Sequence, residues 1–94
     1  MKSFKDVKAR FKPDEEIEVV NHVLPEVSGR RLITNVRGSG YWFRSIPARA
    51  RETNCWFAFP KVASQCKIDG PDQVTFRDVN GVDWVTVRFP PVTP

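Results

Sequence analysis

Ninety-four residues, 40% hydrophobic and 12% aromatic, suffice for one small packed domain and no more. Eight prolines argue against long helices, and no apolar run reaches the roughly 18–20 residues that span a bilayer. The net charge of +4 is unevenly spread: residues 27–67 hold eight Lys/Arg against Glu52 alone, a local +7, between two slightly acidic flanks.

Such asymmetry points to a polyanionic or acidic partner. The charged start, MKSFKDVKARF, lacks the apolar stretch of a signal peptide, so the expected compartment is the cytoplasm, without membrane association. Cys55 and Cys66 are too few for a disulfide framework, and their spacing fits no zinc pattern. They are expected as reduced thiols, at least one packed as a small hydrophobe.

The first expected element is a helix over residues 3–11. Ser3 can cap it, and Asp6 stands three residues later, where a carboxylate can reach back to the cap. Phe4, Val7 and Phe11 form one apolar stripe. A nine-residue helix does not hold alone, so that stripe must dock on something. Lys12-Pro13-Asp14 ends it.

EEIEVVNHV then alternates Ile17, Val19, Asn21 and Val23 against Glu18, Val20 and His22, the period of a strand. After the turn-rich LPEVSG, RRLITNV alternates Leu32, Thr34 and Val36 against Arg31, Ile33 and Asn35. Arg37-Gly38-Ser39-Gly40 is a turn. YWFRSI and CWFAF are the third and fourth strands, and PKVASQC follows as one helical or 3-10 turn. KID is brief, GPDQ is a turn, and VTFRDV and VDWVTVRF flank the hairpin signal Asn80-Gly81. The tail FPPVTP is expected to fray rather than extend a sheet.

The fold class is therefore mainly β: five to six short antiparallel strands with a short N-terminal α-helix. It forms one domain over 1–94, with the helix at 3–11, a barrel over 16–90 and a frayed tail at 91–94. The order of strand, turn-rich loop, glycine-linked strand pair, fourth strand, helical turn and further strand resembles an SH3-like barrel. The carriers are EVVNHVLPEVSGRR, YWF and CWFAFPKVASQCKI. The extra helix and the final hairpin depart from the minimal barrel. EVVNH, PEVSGRR, WFAFPKVAS and IDGPDQVTF are also similar to small proteins encoded by actinobacteria and their phages. That resemblance implies a source and no activity.

Little in the chain suggests catalysis. His22 is the one histidine, the acidic run Glu15, Glu16 and Glu18 does not converge, and Arg37–Gly40 lacks the lysine and helix of a phosphate loop. The expectation is no enzyme, no cofactor, no metal and no small-molecule substrate.

The aromatics carry the binding argument. In the third strand Trp42 shares a face with Arg44, and a charged side chain rarely faces a core, so Tyr41 and Phe43 point inward. In the fourth, Cys55, Phe57 and Phe59 form the apolar set, leaving Trp56 outward. Trp42 and Trp56 then lie on one outer face beside Arg44, Arg49 and Arg51, with Arg30, Arg31, Arg37 and Lys61 at the rim. Arginine pairs with phosphate and tryptophan stacks on bases, which favours nucleic acid. Two alternatives remain open. The helical stripe could cover those tryptophans, or the face could bind an acidic protein surface, for instance a host protein if the chain is phage-encoded. A structural role is the last possibility, with the Val82, Trp84 and Val85 strand pairing at a sheet edge.

Overall fold

The computed structural model describes residues 1–47 and 54–90. Helix α1 spans Phe4–Arg10, one residue inside the expected range at each end. The Ser3 hydroxyl accepts from the Asp6 N–H at 3.2 Å, and the Asp6 carboxylate accepts from the Lys2 N–H at 2.9 Å. The acidic side chain thus reaches one residue past the cap. Seven strands follow: β1 Glu16–Asn21, β2 Gly29–Arg37, β3 Gly40–Ile46, β4 Cys55–Ala58, β5 Cys66–Gly70, β6 Gln73–Arg77 and β7 Asp83–Arg88. The turn expected after the fourth strand is a 3-10 turn at Ala63–Gln65, and a second lies at Pro25–Val27.

All ladders are antiparallel, in one sheet of order β4-β3-β2-β1-β7-β6-β5. No ladder joins β4 to β5 among the described residues, so the sheet is open. It curls strongly all the same. Phe57 on β4 lies 5.2 Å from Phe76 on β6 and 5.2 Å from Trp84 on β7, although both belong to the far half of the sheet. The concave face holds the core, built from Ile17, Ile33, Tyr41, Phe57, Val74, Phe76, Val85 and Val87.

The helix fills one part of the concavity. Val7 and Phe11 are buried, and the Phe11 ring stacks on Tyr41 at 4.6 Å and meets Phe89 edge-on at 4.9 Å. Phe59 and Phe76 complete the cluster around it. Arg10 pins the helix end: it pairs with Glu15 at 2.7 Å, donates to the Pro90 carbonyl at 2.8 Å and sits 4.6 Å above the Phe89 ring.

The expected barrel of five to six strands gives way to an open sheet of seven among the described residues, and four local expectations change with it. The first strand stops at Asn21, because its side-chain oxygen accepts from the Val23 and Leu24 N–H groups and turns the chain. In β2 a bulge between Ile33 and Asn35 inserts Thr34 and resets the alternation, so Val36 joins the core side and Asn35 faces out. Phe89, which the sequence places both at the end of VDWVTVRF and at the start of FPPVTP, belongs with the core and not with the tail, and its N–H bonds the Asp72 carbonyl. The Val82–Val85 stretch is not an edge: β7 pairs with β1 on one side and β6 on the other.

Candidate functional site

Because α1 docks on the concave face, the convex face of β2–β3–β4 is left uncovered by it. Trp42 and Trp56 are directly opposite in the β3–β4 ladder, 37% and 39% exposed, with ring centroids 5.2 Å apart and planes inclined by 52°. The alternation argument placed both outward, and that placement holds. Tyr41, Phe57 and Phe59 go to the core as expected, and Phe43 is half-buried against it. Cys55 departs from its expected place: it is exposed, and it is Cys66 that packs against the core.

Gly40 makes the tryptophan pair possible. A Cβ there would stand 2.6 Å from the Trp56 ring and 2.1 Å from the Phe57 carbonyl oxygen. The bare backbone lets the Trp56 indole lean across β3 toward Trp42. The sequence marked Gly40 only as a turn residue, while its closeness to a bulky neighbour on the next strand is invisible without the register.

Cations cluster around the pair. Arg44 stands two residues from Trp42 on the same face, and Arg37 pairs in register with Gly40. Both are exposed. Neither takes part in the ion pairs formed among the described residues, which engage Arg10, Arg30, Lys67, Arg77 and Arg88. Asn35, brought outward by the bulge, lies opposite Trp42. A groove of about 390 Å³ continues past Trp56 over Pro60 to Lys61 and Lys8. Lys8 was not expected at this face; its ammonium sits 4.6 Å over the Phe4 ring.

The remaining candidates divide. Arg30 is exposed on the same sheet but pairs with Glu16, so its charge is locally balanced. Arg31, expected at the rim, points to the opposite, concave side and is 8% exposed. The alternation along β2 demands this once Ile33 is core, since residues two apart share a face. Arg49 and Arg51 lie outside the described residues.

Elsewhere on the sheet a polar chain crosses three strands, β5 to β7, and ends on His22 just past β1. Asp69 accepts from Thr75 at 2.5 Å, Thr75 and Thr86 hydroxyls meet at 2.8 Å, and Thr86 meets His22 Nε2 at 2.7 Å. Burial raises the Asp69 pKa, but the bonds from Thr75 and Gln73 outweigh it and hold the carboxyl below its ordinary value. No helix among the described residues is long and apolar enough to cross a membrane.

No family model, curated protein or solved structure matches this chain.

Proposed function

We propose that this protein is a non-enzymatic binding module whose convex β2–β3–β4 face takes nucleic acid, with single-stranded segments as the preferred form. The observation that carries the reading is the exposed Trp42–Trp56 pair flanked by Arg44 and Arg37, whose charges no carboxylate neutralises among the described residues. Unstacked bases find flat apolar platforms on the indoles, and the guanidiniums meet the phosphates between them. Duplex DNA hides its base faces, so stacking favours single strands.

The order of β1 to β4 and the 3-10 turn after β4 also supports kinship with SH3-like barrels for that part of the chain. The three-strand return β5-β6-β7 is an addition to it. β4 is the terminal strand of the sheet among the described residues, and its outer side next to Trp56 favours one second reading: an extended segment of an acidic partner protein, such as a host protein of a phage, adding to the sheet there.

The test is tryptophan fluorescence titrated with short single- and double-stranded oligonucleotides, in a Trp84→Phe background that isolates the outer pair. Binding should weaken steeply with salt, with a slope near 0.7 per phosphate contact for a single strand. Trp42→Ala or Trp56→Ala should cost about 1–3 kcal/mol, roughly 5- to 150-fold in affinity. Arg44→Glu should lower both affinity and salt slope. Emission unchanged by any oligonucleotide at low salt refutes the nucleic-acid reading and leaves the β4 edge as the surface to pursue.

A further inference from the structure

The concave side holds a second feature, independent of the convex face. At the mouth of the curled sheet, between β4 and β7, lies a cavity of about 270 Å³ walled by Tyr41, Phe43, Phe57, Trp84 and Val27. A bulge helps shape it. Phe76 pairs with Val85 but Arg77 pairs with Asp83, so Trp84 has no partner on β6, and its ring stacks on Phe57 at 5.2 Å.

Arg31 lines this cavity. It is more than nine-tenths buried, yet none of the ion pairs among the described residues includes it. Its guanidinium donates to the Arg30 carbonyl at 2.9 Å and to the Val27 carbonyl, which occupies two of five N–H donors. The Phe43 ring lies 5.9 Å from it. Gly29 leaves it room: a Cβ there would press to 3.1 Å of Nη1. A buried cation with no counter-charge among the described residues is costly to keep, and folds retain one where something else neutralises it. Burial also lifts the Tyr41 phenol well above its ordinary range, against the pull of Arg31, so this wall offers a protonated hydroxyl. Cation and phenol are both donors; Asn21, Ser45 and Cys55 add polar groups to the lining, and the rest of the wall is apolar.

We propose that this cavity binds a small hydrophobic monocarboxylate, its carboxylate on Arg31 and its apolar body between Phe57 and Trp84. Guanidinium and carboxylate match in a planar, two-point geometry. The volume lies just under the roughly 300–1,000 Å³ of drug-sized sites, which restricts the occupant to a body of about one ring. A free acid of that size fits more fully than the terminal residue of a peptide, whose remaining chain would have to leave through the mouth.

The probe is phenylpropionate, with phenylpropionamide as its uncharged counterpart, followed by calorimetry and methyl NMR. Saturable binding of the acid is expected, at least about tenfold tighter than the amide, with Val19 and Val85 methyl shifts and none at Val62 or Val79. Arg31→Gln should lose at least tenfold. Since that variant could unfold, Val27→Glu and Val27→Gln give a second reading at a partly exposed position. The new carboxylate should occupy Arg31 and cut affinity at least tenfold, while the isosteric amide should not. No saturable binding at millimolar acid, equal binding of acid and amide, or equal effects of the two Val27 variants would overturn the proposal. So would a peptide ending in Phe that binds ten times tighter than phenylpropionate, which would replace the free acid by a chain terminus.

Discussion

Replacing Phe11 with alanine tests the architecture most sharply. The side chain is 3% exposed and its ring meets four others, those of Tyr41, Phe59, Phe76 and Phe89. Full burial of a phenylalanine is worth about 1.5–3 kcal/mol, and aromatic pairs add about 0.5–1.5 kcal/mol beyond area. The two shortest contacts and the cavity left behind bring the expected loss to about 3–5 kcal/mol. A domain of this length holds roughly 5–14 kcal/mol in total, so the variant should sit near the edge of folding. A second effect follows from length. Seven helical residues have no stability of their own, so losing the anchor should release α1 as well. Urea denaturation followed by far-ultraviolet circular dichroism should show a lower midpoint and loss of the small helical signal, with Trp42 and Trp56 emission unchanged. A loss under 1 kcal/mol, or an emission change in the outer tryptophans under conditions where the variant is fully folded, would refute the placement of the helix on the concave face.

Gly40→Ala should cost about 1–3 kcal/mol by overpacking and displace Trp56, seen as loss of the coupled-indole band in circular dichroism near 225 nm. A full band in a stable variant would mean that the ladder absorbs the methyl group. Thr75→Val removes a donor from Asp69, so that carboxyl should titrate closer to its ordinary value in NMR. The sign for stability follows from linkage: the lowered folded pKa contributes stability above the unfolded carboxyl value and loses it as pH falls through the folded one. The variant should therefore lose less stability than wild type on acidification, and an unchanged acid limb would contradict the role of that bond. Arg10→Met breaks the Glu15 pair and the bond to Pro90, with an expected loss of about 1.5–3 kcal/mol by denaturant midpoint. A loss below 0.5 kcal/mol would show that the Phe89 contact alone holds that corner.

Local rules reached far into this fold. The Ser3 cap and the Val7–Phe11 stripe locate the helix, and the company of Arg44 suffices to turn Trp42 outward. What stayed hidden depends on long-range pairing. The bulge at Thr34 breaks the β2 alternation without any glycine or proline to announce it. Arg31 reads as a rim charge until Ile33 is known to be core, because a lone arginine beside another normally stays in water. Nothing local tells β7 from an edge strand, or shows that Phe89 meets Phe11 across almost the whole chain. The charge analysis located a basic middle segment, yet only the ladder separates Arg30, already matched with Glu16, from Arg44 and Arg37.

The partners of Phe11 also set a timetable. They lie on β3, beyond β4, on β6 and just after β7, and β1 itself must wait for β7. During synthesis the helix segment emerges first and can be completed only when the last strand has appeared. Contacts of such sequence separation slow folding, because the loops between them must close before any reward is collected. Until then the stripe of Phe4, Val7 and Phe11 travels exposed on the nascent chain. A nascent chain displayed only as far as Gly81 should be open to proteases at residues 3–11, and extension through β7 to Phe89 should shut them out.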